Sequence, residues 1–580
     1  MKKFYNWIVS HPRLVITVFV IVSLVCAVCK GFVRVDYDMN DYLPEDSAST
    51  VALDLMEQEF GGGVPNARVM VENVTIPEAL EYKARIEAVQ GVTEVTWLDD
   101  AATASTIKEI SRISTIAIIF VILVLILTTE SWVEPVVVMI GLGVASGLTT
   151  VIGFLALCLM RFRIGPDLGR ALAKGIAISL ITVFTFMPCL ILATYKWLDK
   201  LQHIPFVPSF GGFGRFVQKI MLPMLVLFVA VIVPSYLASN ANSFYYGASK
   251  IFDETTKTGA DTARIEEIFG KSDTYVLMVP KQDKATQKQL SDDLHLIPQV
   301  SSILSYVDTV GMEIPESNLD QATYAKLCSD RYTRMVISVD AEYEGSDTFR
   351  LVEVIRDTAE VYYPGEWYLA GEGISTYDLM DTITKDMTKV NLVAIGAVFL
   401  VLLLTLRSVM LPVLLVLSIE TAVWINLAIP YFTDATVFYI SYLIISSVQL
   451  GATVDYAILL TERYKEYRQT RGKKDAITDT LAAVTVSILT SGSVLTVVGF
   501  LLRAISSHGV LSQLGYFLGK GTLCSLAIVL FVLPGMLYLF DGAFIKKVVT
   551  YKTHAFASDV AQNAQTTAGT LLLPFARSGT

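Results

Sequence analysis

A chain of 580 residues that is 53% apolar and only 17% charged, with a mean hydropathy of +0.54, does not fit a soluble globular domain, where about a quarter of residues are charged. Most of its surface must face lipid or other apolar helices. A net charge of −10 leaves no basic footprint for nucleic-acid binding.

The first element is an apolar run from Leu14 to Cys29, behind Lys2 and Lys3. No small-x-small cleavage site follows, so residues 1–33 read as a transmembrane helix rather than a cleaved signal peptide. Further runs approach the roughly 20 apolar residues that cross a bilayer. They lie near 112–129, 135–160, 168–194, 220–239, 390–406, 409–429, 437–461, 478–502 and 511–540. Ten crossings put Lys2, Lys3, Arg13, Lys196, Lys200, Arg215, Lys219, the basic cluster from Arg463 to Lys474, and Lys546 and Lys547 on one side. The positive-inside rule makes that side the cytoplasm. The long polar stretches 34–110 and 241–388 then lie outside. Membrane segments occupy 111–240 and 389–545, and 546–580 is a cytoplasmic tail rich in Ala, Thr, Ser and Gln.

The second polar stretch has a readable pattern. Thr274–Pro280 alternates as a strand, Ala285–Leu296 has helical spacing, and Val300–Val307 is a strand again. The order recurs as Tyr332–Val339, a helix expected to be N-capped by Asp347, and Trp367–Gly371. Two β-α-β units side by side point to a split-βαβ, ferredoxin-like α+β domain. The first stretch holds one such unit, at Arg68–Val71, Ile76–Val89 and Val92–Leu98.

The two halves repeat each other in parallel order. Thr150-Val151-x-Gly153-Phe154-Leu155 matches Thr496-Val497-x-Gly499-Phe500-Leu501 at an offset of 346 residues. The same offset carries Leu168-Gly169 onto Leu514-Gly515, Lys174-Gly175 onto Lys520-Gly521, and Pro188 onto Pro534. Earlier landmarks keep smaller offsets. Thr128, Ser131 and Pro135 match Thr405, Ser408 and Pro412 at 277, and Phe60-Gly61 matches Phe269-Gly270 at 209. The first repeat is therefore shorter by 68 residues in its polar loop and by 69 between Pro135 and Thr150. A complete pair of repeats would have twelve spans.

Two repeats of transmembrane helices, each with a large outer loop after its first helix, resemble the resistance-nodulation-division superfamily, and most closely its MMPL branch. The resemblance covers roughly residues 1–545. Its most specific stretch is Gln449-Leu-Gly-Ala-Thr-Val-Asp455-Tyr456-Ala-Ile-Leu-Leu-Thr461-Glu-Arg463-Tyr, which is similar to the family's Asp-Tyr helix. The resemblance implies a polytopic α-helical membrane protein of the cell membrane with extracytoplasmic ferredoxin-like porter domains. It also implies proton-driven export of hydrophobic or amphiphilic compounds such as lipids and drugs. Asp455 and Tyr456 would relay the proton. The implied partners are membrane lipid, substrate, protons and further copies in a homo-oligomer.

The residues support the same site independently. A carboxyl inside an apolar span is costly and marks function by default, although Asp455 could also be held neutral or capped near Glu462 and Arg463. Glu420 and Asn426 lie in the span that precedes the Asp455 helix, as relay partners or as hydrogen-bonded helix contacts. Lys520 either pairs with Asp455 or Glu420, or snorkels toward the outer interface. Thr490, Ser491, Ser493 and Thr496 suit close helix packing. The first repeat has no counterpart of the Asp-Tyr helix, which leaves a degenerate or accessory membrane protein without independent transport as the alternative. Phe269-Gly270-Lys271-Ser272 lacks the leading glycine of a P-loop, because Ile265 stands there. No nucleophile–base–orienter set argues for an enzyme. The six cysteines make no disulfide framework, and the five histidines have no metal-ligand spacing. Neither metal nor any other cofactor is expected.

Overall fold

A computed structural model describes residues 2–29, 42–61, 82, 85–86, 116–124, 148–200, 210–247, 250–252, 256–281, 284–311, 321–406 and 408–544. The β-α-β unit expected within 68–98 lies outside these residues apart from 82, 85 and 86, and so does half of each of the runs near 112–129 and 135–160.

In chain order the helices are α1 (Lys2–Ser10), α2 (Pro12–Cys29), α3 (Ala48–Phe60), α4 (Leu148–Ala156), α5 (Ile164–Lys200) and α6 (Gly211–Ser239). A two-residue strand β1 (Phe244–Tyr245) leads to α7 (Lys257–Phe269), β2 (Asp273–Pro280), α8 (Lys284–His295) and β3 (Val300–Leu304). Then come α9 (Gln321–Leu327), β4 (Tyr332–Val339), α10 (Ser346–Tyr362) and β5 (Tyr368–Ala370). The chain re-enters the apolar layer with α11 (Glu372–Leu406) and α12 (Met410–Phe432). After β6 (Val437–Phe438) follow α13 (Tyr439–Arg468), α14 (Lys473–Ile505), α15 (Gly509–Ala527) and α16 (Leu533–Phe544). The last two are joined by a π-helical turn, Ile528–Val532. Among the described residues seven helices are long and apolar enough to cross a membrane: α5, α6, α11, α12, α13, α14 and the α15–α16 pair. The α2 helix carries a shorter apolar stretch, Pro12–Cys26, and packs through Val15 and Phe19, together with Ile8 of α1, on Cys189 and Phe186 of α5.

The sheet has the order β3-β4-β2-β5 with antiparallel neighbours, which is the split-βαβ arrangement. Alternation along β2 explains why both of its faces are covered. Tyr275, Leu277 and Val279 join Leu290 and Leu294 of α8 and Val352, Ile355 and Ala359 of α10 in one core. The intervening Val276 and Met278 pack with Ala52 and Met56 of α3 on the opposite face. A helix from the first polar stretch thus completes the domain of the second. Its start is capped by the Ser47 hydroxyl, and Gly61 ends it with φ of 66°, a left-handed conformation that glycine tolerates.

One expectation about helix ends is corrected. Asp347 does not cap α10. The cap position belongs to Gly345 (φ 131°) and the helix begins at Ser346, so Asp347 lies in the first turn, where a carboxylate still favours the helix dipole. Gly270 likewise ends α7, and Lys271 pairs with Glu342 at 2.5 Å. The Phe269–Ser272 segment therefore closes a helix instead of opening one around a phosphate.

The turn after β3 carries a titratable anchor. Asp308 accepts from Ser291 at 2.5 Å, from Ser305 at 2.6 Å and from the Lys288 ammonium at 3.1 Å. Burial pushes its carboxyl up, but the two hydroxyls and the ammonium outweigh it and hold the group below its ordinary value. A depressed folded value contributes stability above the unfolded value of about 3.9, and that stability is lost as pH falls through the folded value. Asp308→Asn is expected to lower the melting temperature of the purified chain at pH 7 by roughly 2–4 °C. The gap should close as pH falls through the folded value, which lies below the ordinary carboxylate range. An unchanged gap at acid pH would mean that the carboxylate charge is not what matters there.

The α11 helix positions the membrane bundle beneath the sheet. Its 35 residues make a rod about 52 Å long, well beyond a hydrocarbon core of about 30 Å. Ile374 at its start lies in the sheet core. Ala394, Val398, Leu402 and Leu406, spaced every four residues, lie in the bundle core. Buried carboxylates fasten the surrounding chain to this rod by accepting backbone N–H groups. Asp273 accepts from Gly373 at 2.9 Å, Asp378 from Ser49 at 2.7 Å, and Asp386 from Arg161 at 2.5 Å and Phe162 at 3.0 Å. A buried carboxylate needs such donors to offset its lost hydration.

Candidate functional site

Asp455 and Tyr456 lie midway along α13. Gly451, one turn before Asp455, packs against Thr150 of α4: a Cβ there would come within 2.8 Å of the threonine methyl. The Thr150 hydroxyl donates to the Gly451 carbonyl at 2.8 Å. Residues four apart share a helix face, so Asp455 lies on the side of α13 that meets the first repeat. It is half-buried. Residues 125–147, which precede α4, lie outside the described chain. Tyr456 is 8% exposed and turns the other way, its hydroxyl meeting Ser491 of α14.

Nearer the sheet domain, a polar knot ties three helices together. Asn426 of α12 donates to Gln449 of α13 at 2.9 Å and to the Phe517 carbonyl of α15 at 3.0 Å. Gln449 donates in turn to the Gly521 carbonyl at 3.1 Å and to Ser525 at 3.2 Å. Asn426 is fully buried and Gln449 nearly so. Gly521 leaves room for this pair, because a Cβ there would lie 2.4 Å from both amide groups. The knot also sets depth. Glu420 precedes Asn426 by six residues and Asp455 follows Gln449 by six, on antiparallel neighbouring helices. Each step of six residues is about 9 Å, so the two carboxyl groups lie at one level of the bilayer. Glu420 is half-buried.

Lys520 is placed differently from both acids. Its ammonium sits 4.5 Å from the Tyr516 ring centroid and 4.8 Å from that of Phe517, and the nitrogen is buried without a hydrogen-bond partner among the described residues. Thr490, Ser491 and Ser493 donate to carbonyls of their own helix. Gly492 beside them accommodates Leu526.

Two elements of this region escaped the sequence reading. Gln449 opens the Asp-Tyr motif and is a polar residue in an apolar span, a signal that could have placed it beside Asn426. The other is Asp541 of α16, 3% exposed, at the end of the bundle away from the sheet. It accepts from Tyr464 at 2.8 Å and from Arg468 at 2.8 Å and 3.1 Å, with Lys473 at 3.5 Å. Its position just beyond the last apolar run hid it.

This geometry agrees with comparisons to known proteins. The chain is 31% identical over 206 residues to a membrane protein of Streptomyces coelicolor, covering 33% of this chain but only 28% of that relative's length. It is 22% identical over 364 residues to a membrane protein of Methanocaldococcus jannaschii, covering 56% of this chain and 91% of that one. Among solved structures, a heavy metal efflux pump superposes with a TM-score of 0.51 at 11% identity, over 75% of this chain and 67% of the pump. That likeness concerns the fold alone. The MMPL family model matches residues 143–204 and 248–555, a span that takes in the sheet domain, the polar knot and the Asp455 helix, and the chain belongs to the MMPL family.

Proposed function

We propose that this protein is a proton-driven exporter of hydrophobic or amphiphilic compounds across the cytoplasmic membrane, with the sheet domain as an extracytoplasmic porter and the tail 546–580 in the cytoplasm. The observation that carries the reading is Asp455, an ionisable group midway along the apolar helix α13, on the face that meets the first repeat. A carboxyl in that position can change its charge within the membrane and so exchange a proton between two arrangements of the bundle. Tyr456 is the second member of the relay, Glu420 lies at the same depth, and Asn426 with Gln449 holds the helices in register. Lys520 joins the relay only if it leaves its aromatic neighbours. The α11 rod gives movement in the bundle a rigid path to the sheet domain.

A second reading, a membrane protein without transport of its own, is favoured by the missing counterpart of the Asp-Tyr helix in the first repeat. One assay separates the two. Vesicles containing the purified chain are loaded with a hydrophobic dye and given an inward or an outward pH gradient. The exporter reading expects dye movement that reverses with the gradient and stops when it is collapsed. Movement equal to that of protein-free vesicles under every gradient would leave the second reading standing.

A further inference from the structure

The last two membrane helices carry a cationic ladder that the proton relay does not use. Arg503, near the end of α14, lies 3.9 Å from the centroid of the Tyr516 ring, and Lys520 approaches the same ring at 4.5 Å. One aromatic ring thus bridges two cations. Among the described residues the titratable neighbours of Lys520 are Arg503 and Cys524, with no carboxylate, and its nitrogen has no hydrogen-bond partner. An unpaired buried ammonium is costly, and a ring face offsets only part of that cost.

The surroundings define what would complete the site. Gly509, at the start of α15, donates to the Ile251 carbonyl at 2.7 Å, which fixes this end of the helix on the side of the sheet domain. Lys520 lies eleven residues further on, about 16 Å deeper. Its side chain climbs back to Tyr516, one turn nearer the sheet, as a snorkelling lysine does. Arg503 stands above it, exposed. Close packing of Gly499, Gly515 and Gly519 brings α14 and α15 together. Beside the cations the same pair of helices presents Phe500, 36% exposed, and Leu523, 48% exposed. The groove therefore carries its two cations around Tyr516, with Phe500 alongside at Gly519 and Leu523 about one turn deeper than Lys520. At the repeat offset of 346 residues, Arg503 and Tyr516 fall on Leu157 and Arg170, so the ladder belongs to the second repeat alone.

We propose that the groove between α14 and α15 binds an amphiphile with an anionic headgroup, phosphate or carboxylate, from the bilayer leaflet on the sheet-domain side. The headgroup lies between Arg503 and Lys520, and the acyl chain runs down over Phe500 and Leu523. This site does not depend on the transport reading, and its test measures binding alone.

The full-length chain is purified in a zwitterionic detergent and its melting temperature is followed against added phosphatidylglycerol, phosphatidylcholine with the same acyl chains, and glycerol phosphate. Phosphatidylglycerol should stabilise the protein with an apparent affinity about 25-fold above that of phosphatidylcholine, since each basic side chain near an anionic headgroup contributes roughly a factor of five. Glycerol phosphate should have no effect at the same concentration. In the double variant Arg503→Gln, Lys520→Met the preference for phosphatidylglycerol should vanish while the response to phosphatidylcholine remains, and this retained response also shows that the variant is folded. Equal stabilisation by the two lipids, or a preference that survives the double substitution, overturns the proposal. A full response to glycerol phosphate overturns it too, because the acyl chain would then contribute nothing.

Discussion

Asp455→Asn is expected to bring gradient-driven dye efflux down to the level of protein-free vesicles. The substitution keeps the shape of the side chain and removes only its ability to gain and lose a proton. The motor of the proposed mechanism is lost and the packing around Gly451 and Thr150 is kept. Stability should hold or rise, since a charged carboxylate at mid-bilayer costs about 2.5–3.5 kcal/mol. The informative pair of measurements is therefore efflux and melting temperature on the same preparation. Lost efflux with an unchanged or raised melting temperature supports the relay, and efflux above half the wild-type rate removes Asp455 from it. Tyr456→Phe should have a smaller effect, a few-fold in rate, because it deletes one hydroxyl interaction with Ser491 and leaves the titrating group in place. If Glu420 shares the proton, Glu420→Gln will add nothing to Asp455→Asn, since coupled residues are not additive.

The second large effect is on stability. Asp541→Ala should cost about 3–5 kcal/mol, the usual consequence of removing one partner from a buried ion pair. Asp541 is the common acceptor for Tyr464, Arg468 and Lys473, so it ties the ends of α13, α14 and α16 together. The Arg468 side chain is 17% exposed, and without Asp541 its charge keeps the Arg471 carbonyl, at 2.7 Å, and the neutral Tyr464 hydroxyl, but no carboxylate among the partners described for it. Asp541→Asn, which preserves shape and one acceptor, should lose about half as much. Tyr464→Phe should lose about 1 kcal/mol, the net contribution of one hydrogen bond. Thermal denaturation in detergent ranks the three, and an Asp541→Ala protein within about 1 kcal/mol of wild type would show that the cluster is not a structural tie.

Much of the architecture was legible before any coordinates. The long apolar runs from 168 to 540 correspond to α5, α6 and α11 through α16, because crossing a bilayer demands a local stretch of apolar residues that no distant contact can replace. The strands of the sheet were legible for a similar reason. Alternation at Tyr275, Leu277 and Val279 is a property of a few consecutive residues. The offset of 346 residues and the Gln449–Tyr464 motif were legible because they too are one-dimensional. Where α10 begins was misjudged by its cap, since a glycine with positive φ could take the position that Asp347 was expected to fill.

The sequence by itself thus determined which helices between 168 and 540 are apolar enough to cross a bilayer, which segments of the second polar stretch form strands, and which carboxyl lies midway along an apolar helix. Only the tertiary structure decided what those segments meet. It put α3 from the first polar stretch on the free face of the second sheet, with Ser49 bonded to Asp378 across 329 residues of sequence. It paired Asn426 with Gln449, gathered three side chains on Asp541, and set Arg503 and Lys520 on one tyrosine ring. Each of these depends on the relative rotation and depth of helices far apart in the chain. Periodicity tells which face of a helix is apolar, but not which neighbour will cover it.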